Sequence, residues 1–181
     1  MPEKQESGRI WNKQNWSDTA KKTGNNPFYS QGLKFACTRC SSCCRHESGY
    51  VFLSRKDLAS LVLFFKTGQK AFIETFCRWI PSLDDTEQLS LKEKSDFDCI
   101  FWSASANDSN GGCSVYEARP LQCRAFPFWA SIVYDKNSWK ATARECPGMG
   151  KGTLHSGDSV EKWLVLRRKE PIIQRNIKKR G

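Results

Sequence analysis

Four cysteines fall within eight residues: Cys37, Cys40, Cys43 and Cys44, in the run CTRCSSCC. Thiolate sulfur is a soft, strongly binding metal ligand, and a CxxC turn brings two sulfurs to one ion with little backbone strain. Two such turns overlap here. Cysteines also stand at positions 77, 99, 113, 123 and 146. Cys77 lies on the apolar face of a helical pattern and reads as a small core hydrophobe. The other eight lie near loops, turns or strand ends. Eight sulfurs suit two tetrahedral sites, or one cluster and one ion. Cys37, Cys40 and Cys43 have the C-x2-C-x2-C spacing that wraps an iron–sulfur cluster in bacterial ferredoxins. Side chains of adjacent residues tend to diverge, so Cys43 and Cys44 are expected to serve different metals, with Cys44 linking two centres or joining the distant cysteines. Spacing leaves the pairing of ligands open, and zinc and iron are both accepted by such a set.

These cysteines need elements to position them. Residues 1 to about 30 read as a polar arm whose Trp11 and Trp16 could dock on the body. Residues 31–155 form the cysteine-bearing domain, and 156–181 a basic C-terminal helix. Tyr50 to Phe52 reads as extended. Ser54 caps a helix through Phe65, with Asp57 in its first turn. Gln69 to Ile80 forms a second helix with Phe72, Ile73, Phe76, Cys77 and Ile80 on one face, ended by Pro81. Leu89 and Leu91 mark a strand, and Asp98 to Trp102 a buried one. Asn107 to Gly112 is a turn and Cys113 to Tyr116 is extended. Pro120 opens a short helix carrying Leu121 and Cys123. Ala130 to Tyr134 and Trp139 to Ala143 read as a hairpin around Asp135 to Ser138. Gly148 to Gly152 reads as a loop. Asp158 or Ser159 caps a last helix to about Lys169, Pro171 interrupts it, and a further helical stretch runs to the basic end. The fold class is α+β: a small, irregular, metal-stapled domain with short strands and a few helices.

The chain has 181 residues, 39% of them hydrophobic, which suits one modest core. Its polar opening has no apolar core of a secretory signal, and its longest apolar run, LASLVLFF, is too short to span a bilayer. A cytoplasmic protein with reduced thiols is expected, so metal binding outranks disulfide storage or exchange. The formal charge is +10. Eight thiolates and two divalent ions lower it by four, to about +6, so the basicity partly offsets sulfur and need not mean nucleic acid.

The residues around the cysteines then match a known pattern. The CxxCxxCC run, Asp98-Cys99-Ile100-Phe101, Gly112-Cys113-Ser114-Val115-Tyr116, Arg119-Pro120, Cys123-Arg124, Phe126-Pro127 and Cys146-Pro147-Gly148 together resemble the YkgJ-type CxxCxxCC cysteine-cluster family, described as zinc- or iron-chelating. The resemblance spans about residues 35 to 150. It implies a zinc or iron cofactor and the ligands Cys37, Cys40, Cys43, Cys44, Cys99, Cys113, Cys123 and Cys146. The flagellin lysine methylases look like relatives through the same run, which adds an iron–sulfur cluster to the candidates.

Other residues have support roles. Arg119 and Arg124 could hydrogen-bond thiolates and offset their charge. Tyr116, Phe126, Phe128 and Trp129 read as core. His46 stands two residues after Cys44, but cysteines already fill the coordination count; His155 lies in a Gly/Ser loop. Asp84 with Asp85, and Asp96 with Asp98, read as solvated loop acids. No Walker loop, GxGxxG, HExxH or GxSxG is present, so no enzyme class is assigned. Two rivals follow: an iron-dependent redox enzyme or protein-modifying accessory factor, and a metal-stabilised adaptor for nucleic acid or protein that uses the basic helix. Residues 159–181 hold eight Lys or Arg. The plainer expectation is that this helix packs its Trp and Leu on the body.

Overall fold

Ser54 starts the first long helix. In the computed structural model, which describes residues 26–104 and 111–177, α1 spans Arg55–Phe64 behind a capping box. The Ser54 hydroxyl accepts from the Asp57 N–H, and Asp57 Oδ2 accepts from the Ser54 N–H at 2.9 Å. Helix α2 spans Gln69–Phe76. The expected continuation to Ile80 is overturned: Cys77–Pro81 is strand β2, paired antiparallel with β3, Thr86–Leu91. The apolar pattern is therefore shared by a short helix, which buries Phe72, and a strand, which buries Cys77 and leaves Arg78 to Ile80 half-buried. Cys77 is 5% exposed in the first core, beside Phe72, Leu89 and Leu91.

Strand β3 is the centre of a three-stranded sheet ordered β2-β3-β7, with β7 at Gln174–Asn176. The extended segment before α1 also joins it, since Leu53 N–H donates to Leu89 O. A helix to the basic end is therefore corrected: after Pro171 the chain returns to the sheet. The final helix itself, α5, covers Gly157–Lys169, capped by Ser156 rather than by Asp158 or Ser159. Its Val160 and Leu164 pack into a second core with Tyr29, Leu33, Phe128 and Val133.

Of the cysteine-bearing segments, those of Cys99 and Cys113 pack against the first core. Asp98 to Trp102 is not a continuous strand: Cys99 makes a single bridge to Glu93, a turn follows, and Trp102–Ser103 (β4) pairs with Gly112–Cys113 (β5). The Asn107 to Gly112 turn falls largely outside the described residues. After Cys113 the chain makes a 3-10 turn at Tyr116–Ala118 instead of staying extended. Helix α3, Leu121–Ala125, follows Pro120 as expected. The expected hairpin is a helix, α4, Lys136–Glu145, because Asp135 accepts from the Ser138 N–H at 2.7 Å and caps it. Gly148 to Gly152 is not a loop. Met149–His155 forms β6 against β1, Leu33–Phe35. A Cβ on Gly148 would stand 2.1 Å from Ala36 O, so only glycine allows this approach.

Candidate metal centre

The CxxCxxCC run lacks a long element of its own and is held by its neighbours. Its second half is a single 3-10 turn at Ser42–Cys44, preceded by Ser41 at φ +63°. Three contacts fix it. Cys99 N–H donates to Cys44 O at 2.8 Å. Arg45 Nε pairs with Asp98 at 3.1 Å, and its guanidinium lies 3.8 Å from the Trp102 ring centre. Ala36 N–H donates to Gly148 O, which draws the start of the run towards Cys146. Asp98 is 2% exposed, so it is a buried anchor and not the solvated loop acid its sequence neighbourhood suggests. Asp84 and Asp85 are exposed.

The thiols converge. Cys43 Sγ and Cys44 Sγ are 3.7 Å apart, which corrects the expectation that adjacent side chains would diverge. Their shared hydrogen bond holds Cys43 down, to about 7, against the effect of burial, and pushes Cys44 far up. Cys123 is raised by burial and by the charges of Cys99, Cys43 and Cys113. Cys44 feels Cys43, Cys123 and Cys99. Cys99 and Cys113 are both raised, first by burial; the Cys113 charge adds to the rise at Cys99, and the Cys43 charge to that at Cys113. Cys146 is raised by burial first, then by Cys40 and Cys43. Burial also pushes Cys40 up, but hydrogen bonds from Ser42 and Thr38 outweigh it and leave the thiol below its usual value. Seven of the eight sequence-identified cysteines are therefore joined in one electrostatic neighbourhood, with Cys43 at its centre. Cys37 is exposed at the start of the run.

The donor chemistry fits a thiophilic metal. All nine cysteines are free. Metal–sulfur bonds of ~2.3 Å in a tetrahedral site place sulfurs about 3.8 Å apart, close to the Cys43–Cys44 separation. Among the described residues, no three His, Cys, Asp or Glu side chains stand in a finished metal-holding group. The sulfurs share a neighbourhood without forming a closed cage.

The cations around this nest are placed as follows. Arg119 lowers the Cys43 and Cys113 thiols and opposes the rise at Cys123. Its Nε donates to Tyr116 O at 2.9 Å and its guanidinium covers the Tyr116 ring at 3.6 Å. Arg39, from within the run, approaches the same ring at 4.8 Å. Tyr116 is thus a 38%-exposed clasp between two guanidinium groups and not core, while Phe128 is buried as expected. Arg124 is exposed and donates to Arg119 O at 3.0 Å. His46 is exposed at φ +75°. His155 Nε2 lies 3.1 Å from Phe35 O and its ring 4.9 Å from Phe128, so its environment is structural. Sequence reasoning missed Arg45 and Arg39 and read Asp98 as a solvated acid; a basic residue directly after the last cysteine of the run was the available signal.

On the basic C-terminal segment, Arg168 pairs with Glu161 and Arg175 with Glu87. No helix among the described residues is long and apolar enough to cross a membrane. No solved structure matches the chain. A family profile named CxxCxxCC, described as a putative zinc- or iron-chelating domain, matches residues 36–147, which contain all nine cysteines. That span is more than half of the chain and includes the whole convergent nest, so the chain belongs to the CxxCxxCC family.

Proposed function

We propose that this protein binds zinc or iron through thiolates drawn from Cys37, Cys40, Cys43, Cys44, Cys99, Cys113, Cys123 and Cys146. The observation that carries this reading is the gathering of seven of these thiols, five of them around Cys43 and Cys99 joined through Cys44, Cys113 and Cys123, from segments more than a hundred residues apart in sequence. Nothing in an ordinary core favours collecting so many thiols that raise one another's pKa. A divalent ion reverses the cost, because it deprotonates the sulfurs and neutralises their charge. Arg119 supplies fixed positive charge on one side, and the Arg45–Asp98 pair holds Cys44 against Cys99. Binding completes the site by drawing sulfurs already in one neighbourhood into coordination. Zinc would contribute folding energy without redox chemistry, whereas iron, alone or in an iron–sulfur cluster, would add electron transfer.

Anaerobic purification followed by zinc, iron and acid-labile sulfide analysis tests the reading. A stoichiometric metal is expected, with visible absorbance if it is a cluster. Substoichiometric zinc and iron in freshly isolated protein would reject it.

A further inference from the structure

The backbone holds the two ends of the CxxCxxCC run differently. Its start belongs to the β1–β6 sheet. Ala36 N–H donates to Gly148 O at 3.1 Å, Phe35 pairs with Met149, and Met149 N–H donates to Cys146 O at 3.1 Å. Cys37 therefore leaves this sheet on one strand where Cys146 enters it on the other. Leu33 and Phe35 seat the sheet on the second core. Cys40 follows one CxxC turn later, and the Cys146 thiol feels the charges of Cys40 and Cys43. The end of the run belongs to the first core. Cys44 O accepts from Cys99 N–H at 2.8 Å, and Cys99 O accepts from Trp102 N–H at 2.8 Å. Trp102 in turn pairs with Cys113 across β4 and β5. Both Cys99 and Cys113 pack against the first core. Cys123 rides on α3, whose Leu121 N–H donates to Asp57 of α1, and its thiol feels Cys99 and Cys113.

Three cysteines thus stand at each end, and the adjacent pair Cys43 and Cys44, with sulfurs 3.7 Å apart, is the seam between them. Three sulfurs and one from the seam make the four that a closed tetrahedral site needs. We propose that the thiols form two adjoining four-sulfur metal sites, one from Cys37, Cys40, Cys43 and Cys146 and the other from Cys44, Cys99, Cys113 and Cys123, each taking a thiophilic divalent ion. The inference rests on the metal reading above and adds to it the number of sites and the ligands of each. Cys44 goes with Cys99 because their backbones are bonded, which leaves Cys43 to the side of Cys40 and Cys146. The two sites have separate supports: the sheet on the second core carries one, and the first core with α3 carries the other. Emptying one site therefore leaves the backbone that holds the other in place. Arg119, whose charge acts on Cys43 and Cys113, offsets negative charge on both sides of the seam.

The test strips the full chain of metal with a chelator, anaerobically and with reductant, and titrates it with cobalt(II). This ion stands in for zinc, and its visible absorption reports tetrahedral thiolate coordination. About two ions per chain are expected. Cys37→Ser combined with Cys146→Ser should lower the count to about one, with the remaining ion keeping a four-thiolate spectrum. Cys99→Ser combined with Cys113→Ser should do the same from the other side. Cys37 is exposed and Cys146 half-buried, both outside the two apolar cores, so the first variant decides the matter if the second fails to fold. Two ions kept, or both lost, in that first variant would overturn the proposal, as would any count other than two in the parent. A single ion in the parent removes the two-site arrangement and leaves the metal reading standing. A parent that binds no cobalt removes both.

Discussion

At the scale of single residues, two cysteines of the same chain have opposite environments. Cys77 is raised to about 12 by burial, against the nearby Lys92 charge, and packs in the apolar core. Cys43 is held at about 7 by its hydrogen bond with Cys44, with Arg119 contributing. Cys43→Ser should therefore cut bound metal per chain several-fold, while Cys77→Ser should leave metal unchanged. The Cys77 variant instead should lose about 1–3 kcal/mol of stability, because it buries a hydroxyl among Leu and Phe side chains. Metal analysis and chemical denaturation of both variants separate the two effects. Glu93, whose backbone bridges to Cys99, provides a pH test that does not titrate a sulfur. Burial raises its carboxyl, but the Gly49 N–H, the Arg78 pair and Ser48 outweigh this and hold it below the ordinary carboxylate range. A depressed folded pKa means that the stabilisation is present above the unfolded value of about 4.3 and is lost as pH falls through the folded value. Denaturation midpoints of Glu93→Gln should lie below those of the parent near neutrality. The gap should close as the pH is taken below about 4.

At the scale of elements, Asp57 does two jobs. It completes the capping box of α1, and its second oxygen accepts from the N–H of Leu121 at the start of α3, the helix that carries Cys123. Asp57→Ala should lose the cap, worth ~0.5–2 kcal/mol, and orphan a buried N–H for a further ~1–3 kcal/mol. Asp135→Ala, which removes only the α4 cap, should cost about 1 kcal/mol. Urea midpoints with unchanged slopes check the difference. These caps also explain what was legible in the sequence. Ser54 with Asp57, and Pro120 before Leu121, announce helices by local chemistry, and both are found. Asp135 carried the same signal, but the apolar stretch Ala130 to Tyr134 drew it into a hairpin reading. Cys77 to Pro81 and Met149 to His155 are strands only because β3 and β1 supply partners. Pairing between distant segments leaves no local mark, least of all where glycines mimic a loop. The ligand candidates were legible because cysteine is rare and its spacing is informative. The Arg45–Asp98 anchor was not, since it joins residues 53 apart in sequence.

At the scale of the whole molecule, the two apolar cores have different relations to the thiol nest. The first core packs Phe72, Leu89, Leu91 and Phe101 in an aromatic-rich block and includes Cys99 and Cys113 only at its edge. The second gathers Tyr29, Phe128 and Val160 around α5. The run from Cys37 to Cys44 contributes no buried residue and is held by a few hydrogen bonds, a half-buried ion pair and guanidinium–aromatic contacts. Metal binding therefore has unequal consequences across the fold. Free energy gained on coordination appears as stability of whatever is unfolded without it, and structural zinc in small peptides contributes ~10–16 kcal/mol at neutral pH. The β2–β3 hairpin and α1 have their own core and should keep theirs after chelation. Residues 36–47, 98–103 and 111–125 depend on one another through the nest. Removing the metal with a chelator should raise hydrogen exchange in those segments by at least tenfold. The amides of Leu89 and Leu91, bonded across the sheet, should change little. Uniform loss of protection over the whole chain would instead mean that metal holds the two cores together as a single cooperative unit.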